Sequence, residues 1–210
     1  IVSGDLIYTK GFGTREAGGQ RDVDADTVFQ IGSLSKPVSS TIVAALMSDG
    51  AFDWETRISQ IDPELQLFEA YATANVTVSD LLSHRSGLPG LAGDELQMYG
   101  FDRDTILHRL RLVEPAYSFR QRYEYSNSGF ATGAVAAAHA VRREWDEAAQ
   151  AVLFEPLGMT STSMRYADFL ANENRAELHV RHDGRWQARI RRNTDAQAPA
   201  GGVSTSVRDL

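Results

Sequence analysis

The chain has 210 residues, 42% of them hydrophobic, with no cysteine and a formal net charge of −7. That length can bury one substantial core, and no apolar run approaches the roughly 20 residues a membrane-spanning helix needs. The acidic balance without a basic stripe argues against a nucleic-acid partner, and the missing cysteines exclude disulfides, thiolate metal sites and a cysteine nucleophile. The charge is uneven: residues 1–100 carry 6 basic and 14 acidic side chains, residues 101–210 carry 15 and 14.

The chain opens IVSGDLIYTKGFG, with neither an initiator methionine nor a leader pattern, already inside what reads as a hairpin. Residues 6–12 read as a strand after a Ser3-Gly4-Asp5 turn, and residues 27–32 as a short buried strand. From Val38 the apolar positions 38, 42, 45 and 46 follow helical spacing toward a stop at Gly50. Pro37 suits a first turn, so this helix is expected to begin close to Lys36. Thr77 and Asp80 have the spacing of a capping box opening a short helix through Leu82. Residues 104–113 are amphipathic, with Ile106, Leu107, Leu110 and Val113 on one side. Residues 128–142 and 144–155 read as two further helices, the second closed by Pro156 and Gly158.

The segment ELHVRHDGRWQARI reads as a hairpin with two possible registers. A three-residue loop over 182–184 pairs Val180 with Trp186 and Leu178 with Ala188, which keeps one apolar face and is the preferred expectation. The chain ends GGVSTSVRDL, where Ser206 and Asp209 have capping-box spacing but no helix body follows. Both ends therefore read as cut, which leaves localisation open between a periplasmic or secreted and a cytoplasmic site. The pattern predicts an α+β fold: sheet-forming parts at about 1–32 and 176–192, with a mostly helical part, about 33–170, inserted between them.

Lysine is scarce. Of 21 basic residues only Lys10 and Lys36 are lysines, the rest arginines. Lys36 stands three residues after Ser33, in FQIGSLSKPVSS. Three residues apart on a helix is one face, so hydroxyl and amine can approach each other. A serine hydroxyl needs an adjacent base to become a nucleophile, and a desolvated lysine can lose its proton where an arginine cannot. A helix N-terminus nearby adds positive potential and backbone N–H groups. The four-residue spacing alone is a weak signal, and a surface lysine explains it equally well.

A second segment, RYEYSNSGF, sits at the entrance of the 128–142 helix. Tyr125 beside Ser33 and Lys36 could relay a proton to a leaving group, and the Asn127 amide could bind a substrate carbonyl or position Lys36. A purely structural account has Tyr125 packing and Asn127 capping the helix. His84, in SHRSGL, is expected to be structural. The histidines lack metal-ligand spacing, His179 and His182 falling on opposite strand faces. No G-x-S-x-G elbow is present. Arg189, Arg191 and Arg192 read as a solvated strand end.

Together these motifs resemble the serine β-lactamase and penicillin-binding-protein superfamily, most closely its class C branch with the related D,D-peptidases and esterases. YTKGFG, FQIGSLSKPVSS, VSDLLSHRSGLPG, YEYSNSGF, FEPLGMTSTSM and APAGGVSTSVRDL look like family segments in family order. The resemblance implies a β-lactamase/transpeptidase-like fold and a serine hydrolase with Ser33 as acylated nucleophile. It implies Lys36 as the base partner, Tyr125 as the proton-exchanging tyrosine, Asn127 as a substrate-contacting amide, and the Ser33 N–H as half of an oxyanion hole. It implies no cofactor, and a small-molecule or peptide substrate (a β-lactam, a D-amino-acid peptide or an ester). The family's third motif, a K-T-G or H-x-G triplet after the PAGG region, does not occur before Leu210. These 210 residues alone are therefore expected to lack the second oxyanion donor and to turn over no substrate. The competing reading is a non-catalytic member of the fold serving as a binding or scaffolding module.

Overall fold

The computed structural model describes residues 2, 3 and 6–210, with side chains from Tyr8 onward. In chain order the strands are β1 (Val2–Ser3), β2 (Leu6–Ile7), β3 (Phe29–Gln30), β4 (Leu178–His182), β5 (Arg185–Ile190) and β6 (Ser204–Thr205). The helices are α1 (Ser35–Leu46), α2 (Ile58–Ile61), α3 (Ala70–Asn75), α4 (Val78–Leu82), α5 (Asp94–Met98), α6 (Arg103–Arg109), α7 (Asn127–Ala140), α8 (Trp145–Ala149), α9 (Tyr166–Ala171) and α10 (Ala198–Gly201). The fold is α+β, and its strands pair antiparallel as β1 with β2, β3 with β6 and β4 with β5. Among the described residues these are small two-stranded sheets rather than one continuous sheet.

Helix α7 is the centre of the packing. Its alanines at 131, 134, 136, 137 and 138 are buried, and such small side chains let α1, α4 and α10 approach closely. The facing residues are the larger ones: Ile42, Val43 and Leu46 from α1, Val78 and Leu81 from α4, and Leu107 from α6. Burying each such side chain contributes about 1.5–3 kcal/mol before chain entropy is counted. Trp145 closes the far side of this core, its indole N–H 2.8 Å from the Met164 sulfur.

The expected helix starts have visible causes. Thr77 Oγ1 accepts from the Asp80 N–H at 3.3 Å, and Asp80 Oδ2 accepts from the Thr77 N–H at 3.1 Å, which completes the capping box of α4. Arg120 forks onto the same carboxylate, Nη2 lying 2.7 Å from Oδ2. Burial pushes the Asp80 carboxyl upward, but the Arg120 and Thr77 hydrogen bonds outweigh it and hold it below its ordinary value. Helix α6 buries Ile106 and Leu107, and the tighter turn that follows it buries Leu110, as the amphipathic spacing predicts. Helix α8 runs on into a wider π-type turn over Gln150–Phe154, and Gly158, at φ 66°, follows it.

Three expectations are corrected. The Leu178–Ile190 hairpin takes the two-residue loop: His182 pairs with Arg185, and Asp183 and Gly184 have φ of 49° and 75°. Two successive positive φ values are the signature of the type I′ turn that Asp-Gly favours. Trp186 is 62% exposed, so no buried face enforces the apolar alternation, and turn chemistry decides the register. A bulge then places two residues, Ala188 and Arg189, opposite His179, and Leu178 comes to pair with Ile190. The strand expected over 6–12 is limited to Leu6–Ile7 because its partner strand is Val2–Ser3; the turn residues Gly4 and Asp5 lie outside the described residues. At the other end only half of the expected capping box forms. Asp209 N–H reaches Ser206 Oγ at 3.3 Å, but its carboxylate accepts instead from Ser161 N–H at 2.8 Å and Thr162 Oγ1 at 2.7 Å.

Candidate active site

Ser33 lies in a tight 3-10 turn, Gly32–Leu34, that runs directly into α1. The turn leaves Ser33 exposed and puts Lys36 one helical step deeper, 8% exposed. The buried face of this end of α1 is polar for a reason. Lys36 Nζ donates to the Ala200 carbonyl at 2.9 Å, Ser39 Oγ donates to the Pro199 carbonyl at 2.7 Å, and Ser35 Oγ accepts from the Val203 N–H at 3.0 Å. Three side chains thus stitch α1 to the α10 segment, satisfying groups that burial would otherwise penalise. Pro37 fits this first turn without breaking it.

Tyr125 arrives from the loop before α7. That loop is held alongside residues 84–87: the Glu124 N–H donates to the His84 carbonyl at 2.8 Å, and the Arg120 N–H to the Arg85 carbonyl at 3.0 Å. His84 itself, at φ 61°, accepts from the Ser126 N–H on Nδ1 at 3.1 Å and sets its ring 4.7 Å from that of Tyr125. Burial, then the nearby Lys36 charge, pushes the His84 imidazole below its ordinary value. A donor aimed at Nδ1 suits that neutral ring. His84 therefore braces the tyrosine loop.

The four residues singled out from the sequence converge. Ser33 Oγ is 2.6 Å from Tyr125 Oη, and Lys36 Nζ is 2.5 Å from Tyr125 Oη and 3.3 Å from Ser33 Oγ. Lys36 Nζ also donates to Asn127 Oδ1 at 2.7 Å. Asn127 does not cap α7. Ser126 does, its Oγ accepting from the Gly129 N–H at 3.1 Å, which frees the Asn127 side chain to face Lys36.

Burial pushes the Lys36 ammonium below its ordinary value, opposed by its hydrogen bond to Tyr125 and by the charges of Tyr125 and Asp94. The Ala200 carbonyl can only accept, and Asn127 presents its oxygen, so two lysine N–H groups are committed. What remains on the nitrogen faces Tyr125 and Ser33, as a third N–H in the ammonium and as a lone pair in the amine. Tyr125 Oη, within hydrogen-bond reach of both other atoms, can pass a proton between them.

Above this cluster opens a cleft of about 150 Å³ lined by Gln30, Gly32, Ser33, Asn127, Arg192 and Gln197, among others. Several of these the sequence reading missed. Gln197 donates to Asp94 Oδ1 at 2.7 Å, and Asn127 Nδ2 donates to Asp94 Oδ2 at 3.0 Å. Arg192 borders the cleft rather than merely ending a strand, its carbonyl accepting from Gln30 Nε2 at 3.0 Å. No local spacing announces these residues, because chain separations of 33 to 162 residues bring them together. Among the described residues no group of His, Asp and Glu side chains is arranged to hold a metal ion, and no helix is long and apolar enough to cross a membrane.

A family model described as beta-lactamase matches residues 1–210. The chain belongs to the beta-lactamase family. Penicillin-binding protein 4 of Amycolatopsis lactamdurans is 30% identical over 165 residues, covering 76% of this chain and 42% of that protein. Esterase EstB of Burkholderia gladioli is 27% identical over 216 residues, covering 94% of this chain and 53% of that protein. The octameric penicillin-binding protein homologue from Pyrococcus abyssi matches the fold with a TM-score of 0.72 at 23% identity, over 99% of this chain and 48% of that one. This beta-lactamase-family chain thus spans about half, or less, of the length of these relatives. The fold is that of the β-lactamase/transpeptidase-like proteins.

Proposed function

We propose that this chain carries the nucleophile half of a serine hydrolase that works through an acyl-enzyme on Ser33. One observation carries the reading. Tyr125 Oη sits between Ser33 Oγ at 2.6 Å and the buried Lys36 Nζ at 2.5 Å, so an exposed hydroxyl has a proton path into a desolvated amine. Ser33 Oγ attacks a carbonyl carbon and its proton passes to Tyr125 and Lys36. The carbonyl carbon's bond to nitrogen or oxygen then breaks, and the leaving group takes a proton from the same pair. Water hydrolyses the resulting Ser33 ester, releasing a carboxylic acid and restoring the hydroxyl. Asn127 adds an amide at the mouth of the cleft for the substrate, and the Ser33 N–H serves the developing oxyanion.

Membership of a family whose matched relatives are named penicillin-binding protein and esterase supports an amide, β-lactam or ester as the bond cleaved. The test is the intact mass of the full-length protein after exposure to a fluorophosphonate, beside its Ser33→Ala variant. A single adduct lost in the variant is the expected result. The absence of any adduct would overturn the reading in favour of a non-catalytic binding module.

A further inference from the structure

Asn127 is held at both ends of its amide. Its Oδ1 lies 2.7 Å from Lys36 Nζ and its Nδ2 3.0 Å from Asp94 Oδ2. The two ends of an amide are chemically unlike, one accepting and the other donating. A carboxylate accepts only, so Asp94 takes the NH2 end and leaves the oxygen for the lysine. A flipped amide would set oxygen against carboxylate and NH2 against the lysine N–H groups, losing both bonds. Asp94 is in turn fixed from the other side by Gln197 Nε2, at 2.7 Å from Oδ1, and Gln197 Nε2 also reaches Ser128 Oγ at 3.1 Å. A relay of three side chains, from Gln197 through Asp94 to Asn127, therefore ends on the lysine nitrogen.

We infer that Asp94, the first residue of α5, is the positioning residue of this cluster: its carboxylate fixes the Asn127 amide oxygen on Lys36 and supplies the one full negative charge near it. The second effect is electrostatic. Asp94 stands one amide away from Nζ, and its charge favours the ammonium while burial favours the amine. The balance of the two decides which form meets Ser33. The other titratable groups facing Lys36 are Tyr125 and His84, from the loop before α7 and the turn after α4; α10 presents only the Ala200 carbonyl, and α1 only Ser33. No remaining group in that set supplies the charge Asp94 does. For its consequence in acylation this inference rests on the proposed function, but the state of Lys36 can be read without any activity.

The experiment uses the full-length protein with lysine labelled at Cε with carbon-13, and follows Lys36 by NMR across pH, its signal assigned by its loss in Lys36→Arg. Asp94→Asn keeps the size and removes the charge. The expected result is a Lys36 midpoint lower by about one pH unit, with fluorophosphonate labelling of Ser33 slowed about ten-fold. Gln197→Leu, which loosens the carboxylate but leaves its charge, moves the midpoint the same way by less, and it carries the test should Asp94→Asn fail to fold. A Lys36 midpoint unmoved in both variants overturns the inference, whatever Ser33 does. A wild-type protein that takes no label removes the proposed function, while the titration still decides the part of Asp94.

Discussion

The cleft has a helical wall and a strand wall, and the two are held in different ways. On the helical side Lys36 has four oxygen neighbours within 3.3 Å, drawn from α1's own entry, the loop before α7, α7 and α10. Each partner is fixed in turn: Tyr125 by His84 and the 84–87 segment, Asn127 by Asp94, α10 by Ser35 and Ser39. On the strand side β4 and β5 pair mainly with each other, and Trp186 and Ile190 stand 62% and 43% exposed. There a local turn sets the register, and a bulge absorbs the mismatch. Where many elements converge on one nitrogen, a single change propagates to the chemistry; where a pair of strands stands apart, it stays local.

The steepest break expected is Tyr125→Phe. Loss of the Oη removes the link between Ser33 and Lys36, and the rate of fluorophosphonate adduct formation is expected to fall by about 10²–10⁴-fold with the circular dichroism unchanged. Next comes the brace beneath the tyrosine loop. Arg120→Met leaves the Asp80 carboxylate, 6% exposed, without its fork, at an expected cost of about 2 kcal/mol in urea unfolding, discounted because Arg120 is itself 43% exposed. Since the folded state holds the Asp80 carboxyl below its ordinary value, that contribution is present above about pH 4 and is lost as the pH falls through the depressed value. The Arg120→Met variant should therefore converge with the wild type in acid.

A smaller effect is expected at Gly133, where α7 meets α4. A Cβ there would stand 2.9 Å from the Leu81 Cβ and 2.5 Å from the Leu82 Cδ1. Gly133→Ala gains about 1 kcal/mol of helix propensity but must displace both leucines, and a net loss of about 1 kcal/mol is expected by thermal unfolding. The smallest effect belongs to the strand wall. Trp186→Ser should change global stability by less than about 0.5 kcal/mol, because the ring is mostly in water. A loss several times larger would show that the two walls do not differ as described.

What was legible in the sequence follows the same division. The capping box of Thr77 and Asp80, the stripe of Ile106, Leu107 and Leu110, and the start of α1 near Lys36 are local matters of spacing, and the structure has them. Ser33, Lys36, Tyr125 and Asn127 were legible because their types carry chemistry and their motifs are short. The hairpin register was misjudged because the apolar pattern was given priority where no core enforces it. Asp94, Gln197, Arg192 and the Ala200 carbonyl were not legible at all. A common acid, an amide, an arginine in a basic run and a backbone oxygen acquire meaning only from the residues that folding sets beside them.

The central claim is that position 36 needs a nitrogen able to lose its proton beside Ser33. The most direct measurement is the fluorophosphonate adduct fraction of the full-length Lys36→Arg protein, followed by intact mass over time, with near-ultraviolet circular dichroism to confirm the fold. The account predicts native dichroism and no adduct over a period in which the wild type is fully labelled, since guanidinium keeps its charge in proteins. Labelling of Lys36→Arg at the wild-type rate would contradict it.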